Sequence, residues 1–148
     1  MIRPATINDL EAMVVLAERF IGETNYEVEF DAEKSRHHLA FYLLMPNLKI
    51  LVADENGIVG GAMMAVSHEF QKRPFGYVSK FFVAPEARNW GIGRSLIEAT
   101  IAWLKEQGVS HIFSTATAGL DEMNQRLFVN LLKKYGFRDC GPVMCMEV

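Results

Sequence analysis

Residues 48–70 read LKILVADENGIVGGAMMAVSHEF, two β-rich runs on either side of Glu55-Asn56-Gly57. Asn-Gly is the preferred pair for a tight turn between antiparallel strands, because both residues tolerate the positive φ that the turn demands. A hairpin is thus specified locally, and a sheet has to grow from it. A third run, FGYVSKFFVA, ends at Pro85 and supplies another strand.

Helical patterns surround this hairpin. MIRPAT reads as a short first strand closed by Pro4. Thr6, Asn8 and Asp9 offer capping oxygens to a helix in which Leu10, Met13, Val14 and Ala17 recur at helical spacing, as far as about Ile21. A second helix is predicted over residues 32–44 and stops at Pro46. Another covers residues 92–107, with Ile92, Leu96, Ala99 and Trp103 on one stripe and Gly108 at the C-terminal cap. HIFSTA reads as a strand, residues 122–135 as a helix, and PVMCMEV as a closing strand. The predicted order is β-α-α-β-β-β-α-β-α-β, an α/β chain of the α+β kind: one mixed sheet with helices packed on it. The expectation is a single domain spanning residues 1–148.

Composition narrows the function. The net charge of -3 lacks the basic footprint of a nucleic-acid binder. No apolar run approaches the roughly 20 residues that cross a bilayer, and MIRPATINDL has no apolar core of a secretory signal. A cytoplasmic protein with no membrane partner is expected. Cys140 and Cys145 read as two reduced thiols near the end of the chain. No metal is expected, since the adjacent His37 and His38 point about 100° apart on a helix.

The chemistry concentrates in VAPEARNWGIG, residues 83–93, just before the third helix. Glycines spaced by one residue at that place can serve merely to turn the chain. A dinucleotide-binding turn would need a third glycine where Leu96 stands, and a strand running straight into the turn. A third reading is a pyrophosphate cradle. The first N–H groups of a helix point outward without intrahelical partners, and the helix dipole adds positive potential there. Gly91 and Gly93 would clear the approach, and Arg88 and Arg94 flank it with guanidinium groups.

Arg88-Asn89-Trp90-Gly91-Ile92-Gly93 resembles the R/Q-x-x-G-x-G/A signature of the GNAT superfamily of acyl-CoA-dependent N-acetyltransferases. FFVAP before it and KKYGF after the late helix, with Gly136 and Phe137, also resemble that family, as does the element order over nearly the whole chain. The resemblance implies the GNAT fold, with acetyl-CoA as cosubstrate on residues 88–94 and in an opening where two strands splay apart. It implies that main-chain groups of Phe81, Phe82 and Val83 bind the pantetheine arm and polarise the thioester. Their side chains read as core. Asn124 resembles an asparagine that some members turn toward the pantetheine or its phosphate, one place out of register with Gln125.

The implied reaction is transfer of an acetyl group to a primary amine by direct attack in a ternary complex. It passes through an oxyanion held by backbone donors, with a general base and sometimes a general acid. Here the sequence departs from the family. The usual tyrosine position is Leu132, so Tyr135, further along the helix, becomes the candidate acid. The usual glutamate base is missing too. Ser79 and Tyr77 stand at comparable positions, and Glu69 and His68 are the nearest conventional bases. These departures keep an alternative open, an acyl-CoA-binding module of the same fold that regulates or interacts without efficient turnover. For the acceptor, the resemblance points to GETNYEVEFDAE between the first two helices. Its carboxylates either draw a cationic amine, small or on a peptide, or form a solvated loop. Members of the family are often homodimers, so the resemblance leaves that assembly open.

Overall fold

The structure, a computed structural model, describes residues 1–117 and 119–148. The hairpin forms where Asn-Gly places it. Strands β2 (Leu48–Asp54) and β3 (Ile58–Ser67) pair antiparallel, with Asn56 at φ 60° and Gly57 at φ 141° in the turn. Strand β1 (Ile2–Pro4) joins β2, and β4 (Phe75–Val83) joins β3, both antiparallel. Strand β5 (His111–Ser114) lies parallel to β4, which gives the order β1-β2-β3-β4-β5. A parallel step needs a crossover, and helix α3 (Ile92–Glu106) supplies it.

Two layers of helix cover the two faces of the sheet. Leu96, Ile97 and Leu104 of α3 and Phe128 and Leu132 of α4 (Glu122–Lys134) share a core with Met64, Val78, Phe81 and Val83. On the opposite face, α1 (Leu10–Gly22) and α2 (Ala32–Leu44) pack over Ile50, Val52 and Phe82. The pleat explains this partition, because successive residues of a strand point to opposite faces.

That alternation shifts at the hairpin end, between Ala53 and Asp54, and again in β4. Met64 pairs with Val78 and Met63 with Lys80, so Ser79 is an extra residue on β4. Before this bulge Gly76 and Val78 face α3; after it Phe81 and Val83 do. The late strand expected over PVMCMEV does not form. Val143, Met144, Met146 and Val148 are exposed, and β5 keeps an open outer edge. The run is apolar on both parities, so no alternation fixes a register. Pro142 also lacks a donor, and Gly141 turns the chain at φ 111°. Among the described residues no helix is long and apolar enough to cross a membrane.

A charged knot ties the N-terminal strand to the first helix. Arg3 Nη1 and Nη2 donate to the two carboxylate oxygens of Asp9 at 2.8 Å each, and Nη2 also donates to Asp54 at 2.7 Å. The Thr6 N–H donates to Asp9 at 2.7 Å. The Arg3 guanidinium foremost, with the Thr6 N–H, holds the Asp9 carboxyl well below the usual carboxylate range despite its burial. Asp9→Asn is expected to cost about 2 kcal/mol at neutral pH, the scale of hydrogen bonds to a charged group. The sign with pH follows from the depressed folded value. The wild-type carboxylate stabilises above its unfolded pKa, roughly 3.9, and that contribution disappears as pH falls from there toward the lower folded value. Urea unfolding of both chains between neutral and strongly acidic pH should therefore converge at the acid end; a constant gap would assign the loss to packing.

Candidate active site

The opening in the sheet begins at the bulge. β4 and β5 pair from Phe75 and His111 as far as Val78 and Ser114, and the Thr115 N–H still reaches the Val78 carbonyl at 3.1 Å. Beyond that, β4 continues to Val83 with β5 no longer beside it. Which main-chain groups face the gap follows from the antiparallel ladder on the other side. The Ala84 N–H donates to the Val59 carbonyl at 2.8 Å, so by alternation Phe82 and Lys80 also turn their polar groups toward β3. Phe81 and Val83 therefore turn theirs toward the gap.

The three residues expected at this edge thus divide. Phe81 presents its main-chain groups to the opening and Val83 its N–H, since the Val83 carbonyl accepts from Arg88, whereas Phe82 spends its own in the ladder with Gly61. All three side chains are buried. Phe81 stacks on Phe128 with ring centroids 4.6 Å apart, and Phe82 meets Phe20 edge-on at 5.8 Å.

The strand ends in a turn whose geometry prepares the helix start. Pro85–Trp90 forms a short 3-10 turn, and Gly91 takes φ 75°, a left-handed conformation that costs glycine nothing. The first helical hydrogen bond of α3 runs from the Ser95 N–H to the Gly91 carbonyl at 3.2 Å. The N–H groups of Ile92, Gly93 and Arg94 come before it and point out of the helix end. A Cβ on Gly91 would meet nothing within 4 Å, and one on Gly93 only Leu131 at 3.9 Å. The approach is open, and the donor set suits a phosphate or pyrophosphate.

The two arginines part company. Arg88 Nε donates to the Val83 carbonyl at 2.9 Å, Nη2 donates to the Glu23 carboxylate, and the guanidinium lies 5.7 Å from the Phe82 ring centre. It locks the strand end onto the end of α1. Arg94 is exposed and makes no ion pair among the described residues, so it is the cation available to an incoming anion. Asn89 and Trp90 are exposed on the turn, Trp90 by 60%.

The remaining candidates do not converge. Ser79 sits in the bulge with its hydroxyl 3.4 Å from the Met63 carbonyl, while Tyr77 stacks on Phe113. Glu69 accepts a hydrogen bond from Ser67 at 2.9 Å, beyond the Ser67–Phe75 end of the ladder. About 14 Å of strand separates that end from Ser79. The Tyr135 hydroxyl donates to Glu98 at 2.6 Å, a bond that raises the phenol pKa. Leu132 is buried in the main core. Asn124 donates to Asp121, the N-terminal cap of α4, at 2.6 Å.

Two of the five carboxylates of the acidic segment are committed to structure, and Glu27, Glu29 and Glu33 are exposed. Glu23 holds Arg88, and Asp31 caps α2 by accepting from the Lys34 N–H at 2.9 Å. Neither reading of this segment, as an amine-attracting loop or as a solvated one, points to the cavity beneath it. About 310 Å³ opens between α1, α2 and the sheet, lined by Met13, Leu16, Phe20, Phe30 and Phe82 among others and reaching Lys80 at the bulge. The only sequence signal for it is Lys80 itself, a cation within an apolar strand.

Known proteins share this fold. The sequence model described as "Acetyltransferase (GNAT) family" matches residues 14–137. An "IAA acetyltransferase" of Azospirillum brasilense is 31% identical over 137 residues, covering 89% of this chain and 80% of that protein. Among solved structures, a transcriptional regulator from Bacillus halodurans superposes with a TM-score of 0.80 at 21% identity, over 100% of this chain and 99% of the other. Aminoglycoside N-acetyltransferase AAC(6')-Iy, solved in complex with CoA, gives 0.78 at 18% identity, over 100% and 93%. At these identities the solved structures speak for the fold alone.

Proposed function

This chain belongs to the acetyltransferase (GNAT) family, and from that premise we propose that it transfers an acetyl group from acetyl-CoA to a primary amine by direct attack in a ternary complex. One observation carries the reading: an unpaired strand edge and an open helix N-terminus are joined by a single turn. The N–H groups of Ile92, Gly93 and Arg94 hold the pyrophosphate, with the Arg94 guanidinium beside them. The main-chain groups of Phe81 and the N–H of Val83 hold the pantetheine arm, and a strand N–H at the splay stabilises the oxyanion. Acetyl-CoA supplies the activated acyl carbon; the amine attacks it to form the C–N bond and the oxyanion, collapse of the oxyanion breaks the C–S bond, and the surplus proton on nitrogen passes to solvent.

No side chain on this edge is a ready acid. The hydroxyl of Tyr135 is held by Glu98, and Leu132 carries no proton to give. We assign protonation of the departing thiolate to solvent. Tyr135→Phe is accordingly expected to change kcat by less than about threefold, against the roughly 100-fold or more that loss of a working general acid costs. Release of free thiol from acetyl-CoA with a panel of primary amines tests the whole reading. Acceptor-dependent release supports it. Stabilisation by acetyl-CoA with no release under any amine would favour the binding-module alternative instead.

A further inference from the structure

We propose that the acceptor is a small primary amine with an apolar body and an anionic group, bound in the cavity between α1, α2 and the sheet. This rests on the acyl-transfer reading of the same site. The cavity measures about 310 Å³, at the small end of the range for small-molecule sites. Its walls are aliphatic and aromatic, with Phe20, Phe30 and Phe82 around it. Its polar side chains are Ser35, His38, Lys34 and Lys80, and no carboxylate is among its lining residues.

Lys80 is the most informative of these. It stands on the covered face of an interior strand, paired with Met63, where an apolar residue would close the core. It is exposed, it lines the cavity, and its ammonium donates only to the Ser79 carbonyl, at 3.3 Å, among the described residues. It is also the first residue after the bulge and adjoins Phe81, whose main-chain groups face the splay. An ammonium group at that place binds an anionic group of the acceptor while the acceptor amine reaches the open strand edge. Of the nearby acids, Glu23 is bound to Arg88 and Asp31 caps α2, and neither they nor Glu27, Glu29 and Glu33 line the cavity. An acceptor with several cationic groups would instead meet two lysines without a counter-charge, which selects against it.

L-Phenylalanine and phenethylamine share an aromatic body and differ in the carboxylate, so initial rates of thiol release with each test the proposal. kcat/KM is expected to favour L-phenylalanine by about tenfold or more, as a charge-assisted contact would give. In a Lys34→Gln/Lys80→Gln double variant that preference is expected to shrink to about threefold or less. A wild type that prefers phenethylamine, or a preference untouched in the variant, overturns the proposal. Calorimetric titration with N-acetyl-L-phenylalanine and N-acetylphenethylamine needs no turnover. Tighter binding of the carboxylate form, lost in the double variant, supports the cavity assignment even if no amine releases thiol. In that event the acyl-transfer reading fails and the anion-selective cavity stands. Equal or absent binding of the two overturns the cavity assignment whatever the rates.

Discussion

Gly93→Glu is expected to leave the protein folded and to abolish its stabilisation by acetyl-CoA. The fold tolerates the change because Gly93 lies inside α3 with ordinary helical geometry, and a Cβ there meets only Leu131 at 3.9 Å. A carboxylate in the first turn of a helix interacts favourably with the dipole, by about 0.3–1 kcal/mol. The unliganded variant should therefore unfold at or slightly above the wild-type temperature. The ligand response should move the other way. A ligand that binds only the folded state adds about 2.7 kcal/mol at 100 times its dissociation constant. A carboxylate placed among the N–H groups of Ile92, Gly93 and Arg94 takes the donors that a pyrophosphate needs and repels its charge. Thermal unfolding with and without acetyl-CoA reads both effects in one experiment. Gly91→Ala separates geometry from charge: at φ 75° it costs about 1 kcal/mol of stability without adding a carboxylate. A full acetyl-CoA shift in Gly93→Glu would put the pyrophosphate somewhere other than this helix end.

The parts legible in the sequence are those decided within a few residues. Asn56-Gly57 set the hairpin, Pro85 and Gly91 bounded the turn, and the stripe through Ile92 and Leu96 set α3. The strand edge was legible only as a region. Which of Phe81, Phe82 and Val83 faces the splay depends on the single extra residue at Ser79, and a bulge leaves no mark in an apolar run. The closing strand does not form because PVMCMEV lacks the alternation that would fix its register on β5, and it begins at Pro142, which has no N–H to donate. Arg88 was read as a phosphate ligand; its partner Glu23 lies 65 positions away, a contact that no local pattern announces. For the same reason the sequence leaves the acidic loop open between an acceptor site and a solvated loop, and only the structure shows Glu23 serving Arg88 and Asp31 capping α2.

Phe81→Ala is expected to cost about 3–5 kcal/mol, the usual range for emptying a buried phenylalanine site. The side chain is 8% exposed and stacks on Phe128, itself 8% exposed. The loss should fall unevenly across the molecule. Helix α4 buries only Phe128 and Leu132, so the stack with Phe81 is a main part of what holds it to the sheet. Helix α3 buries Ile92, Leu96, Ile97, Thr100 and Leu104, and keeps those contacts when Phe81 is truncated. Amide exchange should therefore accelerate more along α4 than along α3, beyond the global loss seen in urea. Uniform acceleration would mean that α4 has no separate opening and unfolds only with the sheet. The uneven result would bear on function, because the main-chain groups of Phe81 face the splay while its ring anchors α4. The residue whose backbone stands at the strand edge would then also fix the helix that walls it, so the opening keeps its shape only as long as that ring stays buried.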